Sequence, residues 1–153
     1  MKIAIGSDHA GFGLKKDIEG VLTDLSVEFV DCGTSGPESV DYPDFGERVS
    51  RMVSSGEVDR GILICGTGIG MSIVANKFPK IRASLCNDLF TARMSRLHND
   101  ANILVMGGRI VGQDLAKEIV RTWFTTPFEG ERHLRRLEKI HRIEDKLRVP
   151  SEG

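Results

Sequence analysis

Two spacings of hydrophobic residues alternate along the chain and predict its elements. Short apolar runs predict five strands, at residues 2–6, 27–32, 61–64, 82–86 and 102–106. Between them, apolar residues recur at helical spacing, as Leu14, Ile18 and Leu22 do after the first strand. Strands that alternate with helices in this way indicate a parallel sheet with helices on both faces. The pattern therefore predicts an α/β fold with a doubly wound, Rossmann-like, five-stranded parallel sheet.

The pattern changes after Pro127, where residues 130–148 predict one charged helix that no strand follows. Its apolar residues recur at every third position, at Leu134, Leu137, Ile140 and Ile143. This extra C-terminal helix has little sheet left to cover. Its apolar stripe suits packing either on its own domain or on a partner subunit, and the sequence leaves both open.

Length and composition limit the class of protein. The 153 residues fit one domain spanning 1–153, and a net charge of −1 leaves no general basic surface for nucleic acid or an anionic membrane. The three cysteines are widely spaced, which suits a reducing cytoplasm and does not match a Cys-x-x-Cys metal motif. No apolar run resembles a signal peptide or a membrane span. We therefore expect a cytoplasmic protein without bound metal, nucleic acid or membrane.

The central stretch, residues 62–76, is organised around a glycine-rich loop. An apolar strand ends at Cys65, and Gly66, Gly68 and Gly70 follow at alternate positions before a predicted helix that begins at Ile69. Glycines permit positive φ angles and let backbone N–H groups approach a ligand closely, and a helix N-terminus favours negative charge. The loop is typical of an anion-binding site.

Known nucleotide-binding loops fit this stretch poorly. The dinucleotide fingerprint G-x-G-x-x-G fails because Met71 stands where the third glycine belongs, although Asp88 imitates its distal acid. The Gly-Lys-Ser/Thr ending of a phosphate-binding loop is also absent. A glycine turn that merely joins strand to helix remains an alternative.

Cys65 is the sharpest candidate for chemistry. A thiol at a helix N-terminus, surrounded by N–H groups, can be activated as a base or a nucleophile. The alternative is a small core residue, which is how we interpret Cys32 and Cys86.

Other polar candidates fall at two different edges of the predicted sheet. Asp8, His9 and Arg109 follow strands, so they lie at the carboxyl ends where parallel sheets bind ligands. His98 and Asn99 end a helix, which puts them at the opposite edge. Taken singly, each also fits a helix cap or a surface residue. The mismatch predicts that His98 serves the site of a neighbouring subunit.

Arg132 and Arg136 lie four residues apart and share one face of the last predicted helix. Their paired N–H donors suit a phosphate clamp. Glu131, Glu138 and Glu144 equally suit local pairing that would neutralise the helix.

Six segments together resemble the type B ribose-5-phosphate isomerases and related sugar-phosphate isomerases, in order and in spacing. They are Ser7-Asp8-His9-Ala10-Gly11, Asp41-Tyr42-Pro43, Cys65-Gly66-Thr67-Gly68-Ile69-Gly70, Ala75-Asn76-Lys77, His98-Asn99-Asp100 and Gly108-Arg109. The likeness covers nearly the whole chain. One branch of that family replaces the cysteine by serine and uses a glutamate from the following helix as its base. Here that helix contains Met71-Ser72-Ile73 and no glutamate. The chain therefore resembles the cysteine branch.

The resemblance implies an activity and a set of site residues. It implies interconversion of ribose 5-phosphate and ribulose 5-phosphate through an enediolate in the pentose phosphate pathway, without a cofactor, with allose or galactose 6-phosphate as alternative substrates. Cys65 would be the base and His98 would open the sugar ring, with Thr67 as a further catalytic residue. The implied substrate contacts are Asp8, His9, Gly66, Gly68, Ile69, Gly70, Asn99, Arg109, Arg132 and Arg136.

The resemblance also implies a homodimer or homotetramer whose sites are shared between subunits, in agreement with the position of His98. Two other readings, a nucleotide-binding module and a non-catalytic sugar-phosphate sensor, remain as rivals because doubly wound sheets host many functions.

Overall fold

A computed structural model describes residues 1–148, so residues 149–153 of the predicted domain lie outside the described part. The strands are β1 (Lys2–Ser7), β2 (Glu28–Asp31), β3 (Arg60–Cys65), β4 (Ala83–Leu85) and β5 (Ile103–Gly107). The helices are α1 (Phe12–Asp24), α2 (Tyr42–Ser55), α3 (Ile69–Ala75), α4 (Leu89–Leu97), α5 (Gln113–Thr125) and α6 (Arg132–Leu147). The predicted α/β class is confirmed.

The five strands form one parallel sheet in the order β2-β1-β3-β5-β4. Ser7 lies opposite Ile64, and Cys65 lies opposite Gly107, so β1, β3 and β5 end at the same edge. The chain leaves β1 towards one side of the sheet and later returns to its other side with β3. This change of direction opens a crevice between the carboxyl ends of β1 and β3, where doubly wound folds bind ligands.

Helices cover both faces of the sheet, as predicted. One apolar layer joins the sheet to α1, α4 and α5 and contains the fully buried Trp123, and the other joins it to α2 and α3. The central strands have no polar alternation because both of their faces are buried.

A partly buried ion pair ties α1 to the end of β2. The Nζ atom of Lys15 lies 2.7 Å from the carboxylate of Asp31 and donates to the backbone oxygen of Thr34 at 3.0 Å. Burial alone would favour the neutral acid, but hydrogen bonds from Lys15 and the N–H of Gly33 lower the pKa of Asp31 below its ordinary value. The pair fixes the start of the loop that leads towards α2.

Several element boundaries differ from the predicted ones. Residues 34–43 are rich in Ser, Gly, Pro and Asp, a composition that predicts a loop. The helix α2 nevertheless begins at Tyr42, because Pro43 suits the first turn of a helix. The apolar spacing predicts that the last two helices begin at residues 111 and 130. The helices α5 and α6 begin two residues later, at Gln113 and Arg132, because the preceding Gly112 and Glu131 have non-helical conformations. β2 and β4 are shorter than their apolar runs.

The C-terminal helix α6 packs partly on its own chain. Its Leu137 is buried, and the carboxylate of Glu144 accepts the N–H of Lys80. Leu134, Ile140 and Ile143 of the same stripe remain exposed. Packing of the stripe on its own domain is therefore confirmed in part, and packing of the exposed residues on a partner subunit stays a prediction.

Within residues 1–148, no helix is both long enough and apolar enough to cross a bilayer.

Candidate active site

The loops that follow β1, β3 and β5 line a cavity of about 440 Å³ at the carboxyl edge of the sheet. The cavity brings together most of the residues that the sequence singled out there. Its lining consists of Asp8, Tyr42, Cys65, Gly66, Thr67, Ile69, Gly70, Ile73 and Arg109.

Backbone hydrogen bonds lock these loops to one another. The N–H of Gly108 donates to the oxygen of Cys65 at 2.7 Å, and the N–H of Arg109 donates to the oxygen of Gly66 at 3.0 Å. The N–H of Asp8 donates to the oxygen of Ile64 at 3.3 Å. The floor of the cavity is therefore continuous with the sheet.

Gly68 is required by the shape of the loop. It precedes α3 with φ +84°, a left-handed conformation that side chains rarely adopt. A Cβ atom there would collide with the side chain of Leu85 and lie 3.0 Å from the backbone of Met106. The glycine thus lets the loop turn closely over β5.

Cys65 ends β3 with only 4% of its surface exposed, and it lines the cavity beside the glycine loop. The other two cysteines lie elsewhere. Burial raises the pKa of the Cys32 and Cys86 thiols and holds them in the neutral form. Their surroundings agree with our interpretation of them as packing residues.

The start of α3 presents polar groups next to Cys65. The hydroxyl of Thr67 accepts the N–H of Ile69 at 3.2 Å, and Thr67 itself is exposed to the cavity. The N–H groups of the first helical turn, including that of Gly70, have no acceptor inside the helix. The loop therefore offers hydrogen-bond donors to a ligand oxygen.

Asp8 and His9 follow β1 at the same edge. Asp8 is 5% exposed, and its Oδ1 atom accepts the N–H groups of Ala10 and Gly11 at 3.0 and 3.1 Å, so it shapes the turn before α1. The Nδ1 atom of His9 accepts the N–H of Val40 at 3.2 Å. Because that nitrogen accepts, a neutral His9 carries its proton on Nε2 and can donate it to a ligand.

Arg109 brings positive charge to the cavity. Its side chain is exposed, lies over Gly66, and takes part in none of the ion pairs found among residues 1–148. An unpaired guanidinium at this position suits a negatively charged ligand.

A second cluster of polar residues, separate from the cavity, surrounds His98 at the end of α4. Its ring stacks on that of His133 with centroids 4.2 Å apart and an interplanar angle of 15°. The Oε2 atom of Glu129 lies 4.0 Å from Nε2 of His98 and 3.7 Å from Nε2 of His133. Desolvation, together with the positive charges of His98 and Arg132, lowers the pKa of His133 and favours a neutral ring.

The remaining predicted contacts lie near this second group. Arg132 is adjacent to His133, and Arg136 lies one turn further along the exposed side of α6. Asn99 follows His98 and is exposed. Neither arginine joins an ion pair among residues 1–148. Of the glutamates that could pair with them, Glu144 instead contacts Lys80 and Arg148. Local neutralisation by glutamates therefore does not account for Arg132 and Arg136.

Within one chain, the polar residues of the cavity and the polar cluster around His98 lie apart. His98 precedes β5 and Arg109 follows it, so the five residues of this strand, or roughly 16 Å of extended chain, stand between the two edges. The structure joins Cys65 to Asp8, Thr67 and Arg109 in the cavity, and leaves His98, Asn99, Arg132 and Arg136 outside it.

Sequence reasoning missed two features of these groups. Tyr42 and Ile73 line the cavity without having been singled out, and the ring of Tyr42 packs where a side chain on Gly70 would lie. The signal for Tyr42 was its place at the end of the loop after β2, at the carboxyl edge. Glu129 and His133 beside His98 carried no signal except the proximity of His133 to Arg132 in the sequence.

Comparison with known proteins identifies the family. A family model described as ribose/galactose isomerase matches residues 3–140. The chain belongs to the ribose/galactose isomerase family. The predicted resemblance is thereby confirmed at the level of the family.

Individual members of the family are similar over their whole length. Ribose-5-phosphate isomerase B of Escherichia coli (strain K12) is 50% identical over 145 residues, which cover 95% of this chain and 97% of that protein. The structure of ribose-5-phosphate isomerase B from Clostridium thermocellum is 57% identical with a TM-score of 0.94, covering 97% of this chain and 100% of the other. That of the type B enzyme from Trypanosoma cruzi is 49% identical with a TM-score of 0.92, covering 95% and 99%. These matches confirm the predicted fold in detail.

Proposed function

We propose that this protein interconverts ribose 5-phosphate and ribulose 5-phosphate. The observation that carries the proposal is the position of Cys65, which ends a buried strand beside a glycine loop in the cavity at the switch point of the sheet. The family and its ribose-5-phosphate isomerases support this choice of reaction.

Cys65 acts as the base of the isomerisation. As a thiolate it removes the proton from C2 of the open aldose and returns it to C1, while a proton moves from O2 to O1 through the enediolate. Correctly placed acid–base groups accelerate such steps by about 10²–10⁴-fold. All electrons stay within the sugar, so the reaction needs no redox cofactor.

The glycine loop stabilises the negative oxygen of the enediolate. N–H groups at the start of α3 donate to this oxygen, and one such donor is worth about 3–4 kcal/mol in other enzymes. The hydroxyl of Thr67, exposed in the same cavity, hydrogen-bonds O1 or O2 and assists the proton transfer between them. Asp8 accepts hydrogen bonds from the remaining sugar hydroxyls, and the Nε2–H of His9 donates to a sugar hydroxyl or to the phosphate.

A second copy of the chain completes the site. None of the residues that line the cavity is a histidine, and His98 of the same chain, which we assign to opening the furanose ring, lies beyond β5. In a dimer with shared sites, His98 and Asn99 of one subunit reach the cavity of the other. Arg132 and Arg136 come with them and hold the phosphate together with Arg109.

A hexose 6-phosphate of the allose or galactose type is the alternative substrate, because the family description includes galactose isomerases. The discriminating experiment compares kcat/KM for ribose 5-phosphate, allose 6-phosphate and galactose 6-phosphate with one preparation. We expect the highest value for ribose 5-phosphate. A higher value for a hexose phosphate would reassign the substrate but keep the reaction class.

The rivals from other classes have less support. A nucleotide-binding module lacks its expected fingerprint in the glycine loop, and a sugar-phosphate sensor gives Cys65 no task. Thermal-shift screening against sugar phosphates and dinucleotides separates the first rival, and absence of turnover on any sugar phosphate would favour the second.

A further inference from the structure

Two imidazoles and a carboxylate converge outside the cavity that contains Cys65. One ring nitrogen of His98, one ring nitrogen of His133 and a carboxylate oxygen of Glu129 all lie within 4.8 Å of one another. Two histidines and one glutamate are a ligand set that binds zinc in proteins and leaves a fourth position open. The group therefore has the chemical composition of a transition-metal site.

The distances from the carboxylate of Glu129 to the two imidazoles require only a small closure. Neighbouring ligand atoms in a tetrahedral zinc site lie roughly 3.3 Å apart, since each ligand bond is about 2.0–2.2 Å long. The carboxylate of Glu129 now lies 4.0 Å from His98 and 3.7 Å from His133. The side chains of Glu129 and His98 are 46% and 38% exposed and free to move, whereas His133 is 3% exposed and anchored.

The anchored ring presents the correct atom. The Nε atom of Arg132 lies 3.4 Å from Nε2 of His133, and a guanidinium can only donate. Nε2 of His133 therefore carries a lone pair. The contact is long for a hydrogen bond, and Arg132 is exposed, so a metal ion can displace it.

We propose that His98, Glu129 and His133 bind a Zn²⁺ ion that inhibits the enzyme by occupying His98. The inhibitory consequence rests on the proposed function, in which His98 opens the sugar ring; the binding itself does not. His98 turns out of its stack on His133 to aim its lone pair at the ion. Water fills the fourth position.

The binding experiment uses the full chain without an affinity tag. Zn²⁺ affinity is measured by calorimetry in the absence of substrate for the parent protein, Glu129→Gln and Glu138→Gln. The last is a matched control, because Glu138 is an exposed glutamate of α6 outside the cluster. We expect Glu129→Gln to weaken binding by roughly tenfold or more, and Glu138→Gln to leave it unchanged. Equal affinities in all three proteins would overturn the site.

The absorption spectrum of bound Co²⁺ distinguishes the proposed ligands from the most obvious competing ligand, the thiol of Cys65. The proposed nitrogen and oxygen ligands give visible d–d bands without a thiolate-to-cobalt charge-transfer band. Such a charge-transfer band, lost in Cys65→Ala, would move the ion to the cysteine and overturn the proposal.

Inhibition is measured in the same variants on the sugar phosphate that is turned over. We expect Zn²⁺ to inhibit the parent and the Glu138→Gln protein at similar concentrations, and Glu129→Gln only at concentrations roughly tenfold higher, each relative to its own metal-free rate. Binding without inhibition would overturn the inhibitory role alone. Failure of ribose 5-phosphate as a substrate would leave the calorimetric result untouched, so the two proposals fail separately.

Discussion

Cys65 is both a core residue and a residue of the cavity wall. It is almost fully buried, yet it lines the cavity, because β3 ends at the point where the glycine loop turns away. We therefore expect a substitution of Cys65 to affect the rate of the chemical step more than the affinity for the ligand.

Replacing Cys65 by alanine is expected to lower kcat by about 10²–10⁴-fold or more, since the variant lacks the proposed general base, with little change in the affinity for sugar phosphate. Steady-state kinetics and calorimetry with ribose 5-phosphate measure the two quantities. Cys32→Ala is the matched control, because Cys32 lies outside the cavity. Near-normal turnover in a folded Cys65→Ala protein would exclude Cys65 as the base.

The task that we propose for His98, opening the sugar ring, is required by only one direction of the reaction. Ribose 5-phosphate is mostly a closed furanose, whereas ribulose 5-phosphate cannot form that ring because its O5 carries the phosphate. His98→Asn should therefore nearly stop consumption of the aldose while sparing solvent deuterium entry at C1 of the ketose. Both are measured on one preparation. An equal loss in the two assays would place His98 in the enediolate step or in substrate binding.

At the scale of elements, α6 presents Arg132 and Arg136 on one exposed face, and neither forms an ion pair with any residue between 1 and 148. Replacing Arg132 or Arg136 by alanine should raise KM roughly 10–100-fold, because a charge-assisted hydrogen bond is worth about 1.5–3 kcal/mol. The value of kcat should change less. Arg135→Ala on the same helix is the control, being an exposed arginine of equal charge outside the proposed clamp. Unchanged KM and unchanged inhibition by inorganic phosphate in both variants would locate the clamp elsewhere.

The elements themselves were readable from the sequence where one physical rule dominates. Uninterrupted apolar runs gave β3 and β5, because strands buried on both faces need no polar alternation. The start of α2 was missed because the polar residues before Tyr42 resemble a loop, while Pro43 at the first turn promotes the helix. The strand order, with β5 between β3 and β4, has no local signal, since it depends on packing between distant segments.

The candidate site divides in the same way. Asp8, the glycine loop and Arg109 were predictable together, because parallel strands bring their carboxyl ends to one edge. Tyr42 reaches the cavity from a helix, and Glu129 meets His98 through a connection between α5 and α6, so neither follows from strand ends. The Asp88 that imitates a nucleotide fingerprint instead caps α4, where its carboxylate accepts the N–H of Thr91 at 2.7 Å.

At the scale of the whole molecule, Cys65 and His98 lie at opposite edges of the sheet. If two subunits share each site, two inactive variants should therefore restore activity to one another when they form a mixed dimer. In a twofold dimer, a Cys65→Ala chain paired with a His98→Asn chain has one site with both native residues and one with neither. Random mixing should restore about a quarter of the native aldose turnover, measured after unfolding and refolding the two proteins together. The same proteins mixed without subunit exchange are the control. A fully active monomer in sedimentation, or no recovery despite exchange, would exclude a shared site.

The hydrogen bonds that join Gly108 to Cys65 and Arg109 to Gly66 make the floor of the cavity an extension of the sheet. Such a floor has no melting transition of its own, since its amides become accessible only when the central strands separate. Hydrogen exchange of the Gly108 and Arg109 amides should be as slow as that of Leu63 in β3 and far slower than that of the segment between β2 and α2. Faster exchange at these two amides would reveal an independent local opening. If these amides exchange together with those of the core, we expect the enzyme to lose its activity and its fold at the same temperature, without an inactive folded state in between.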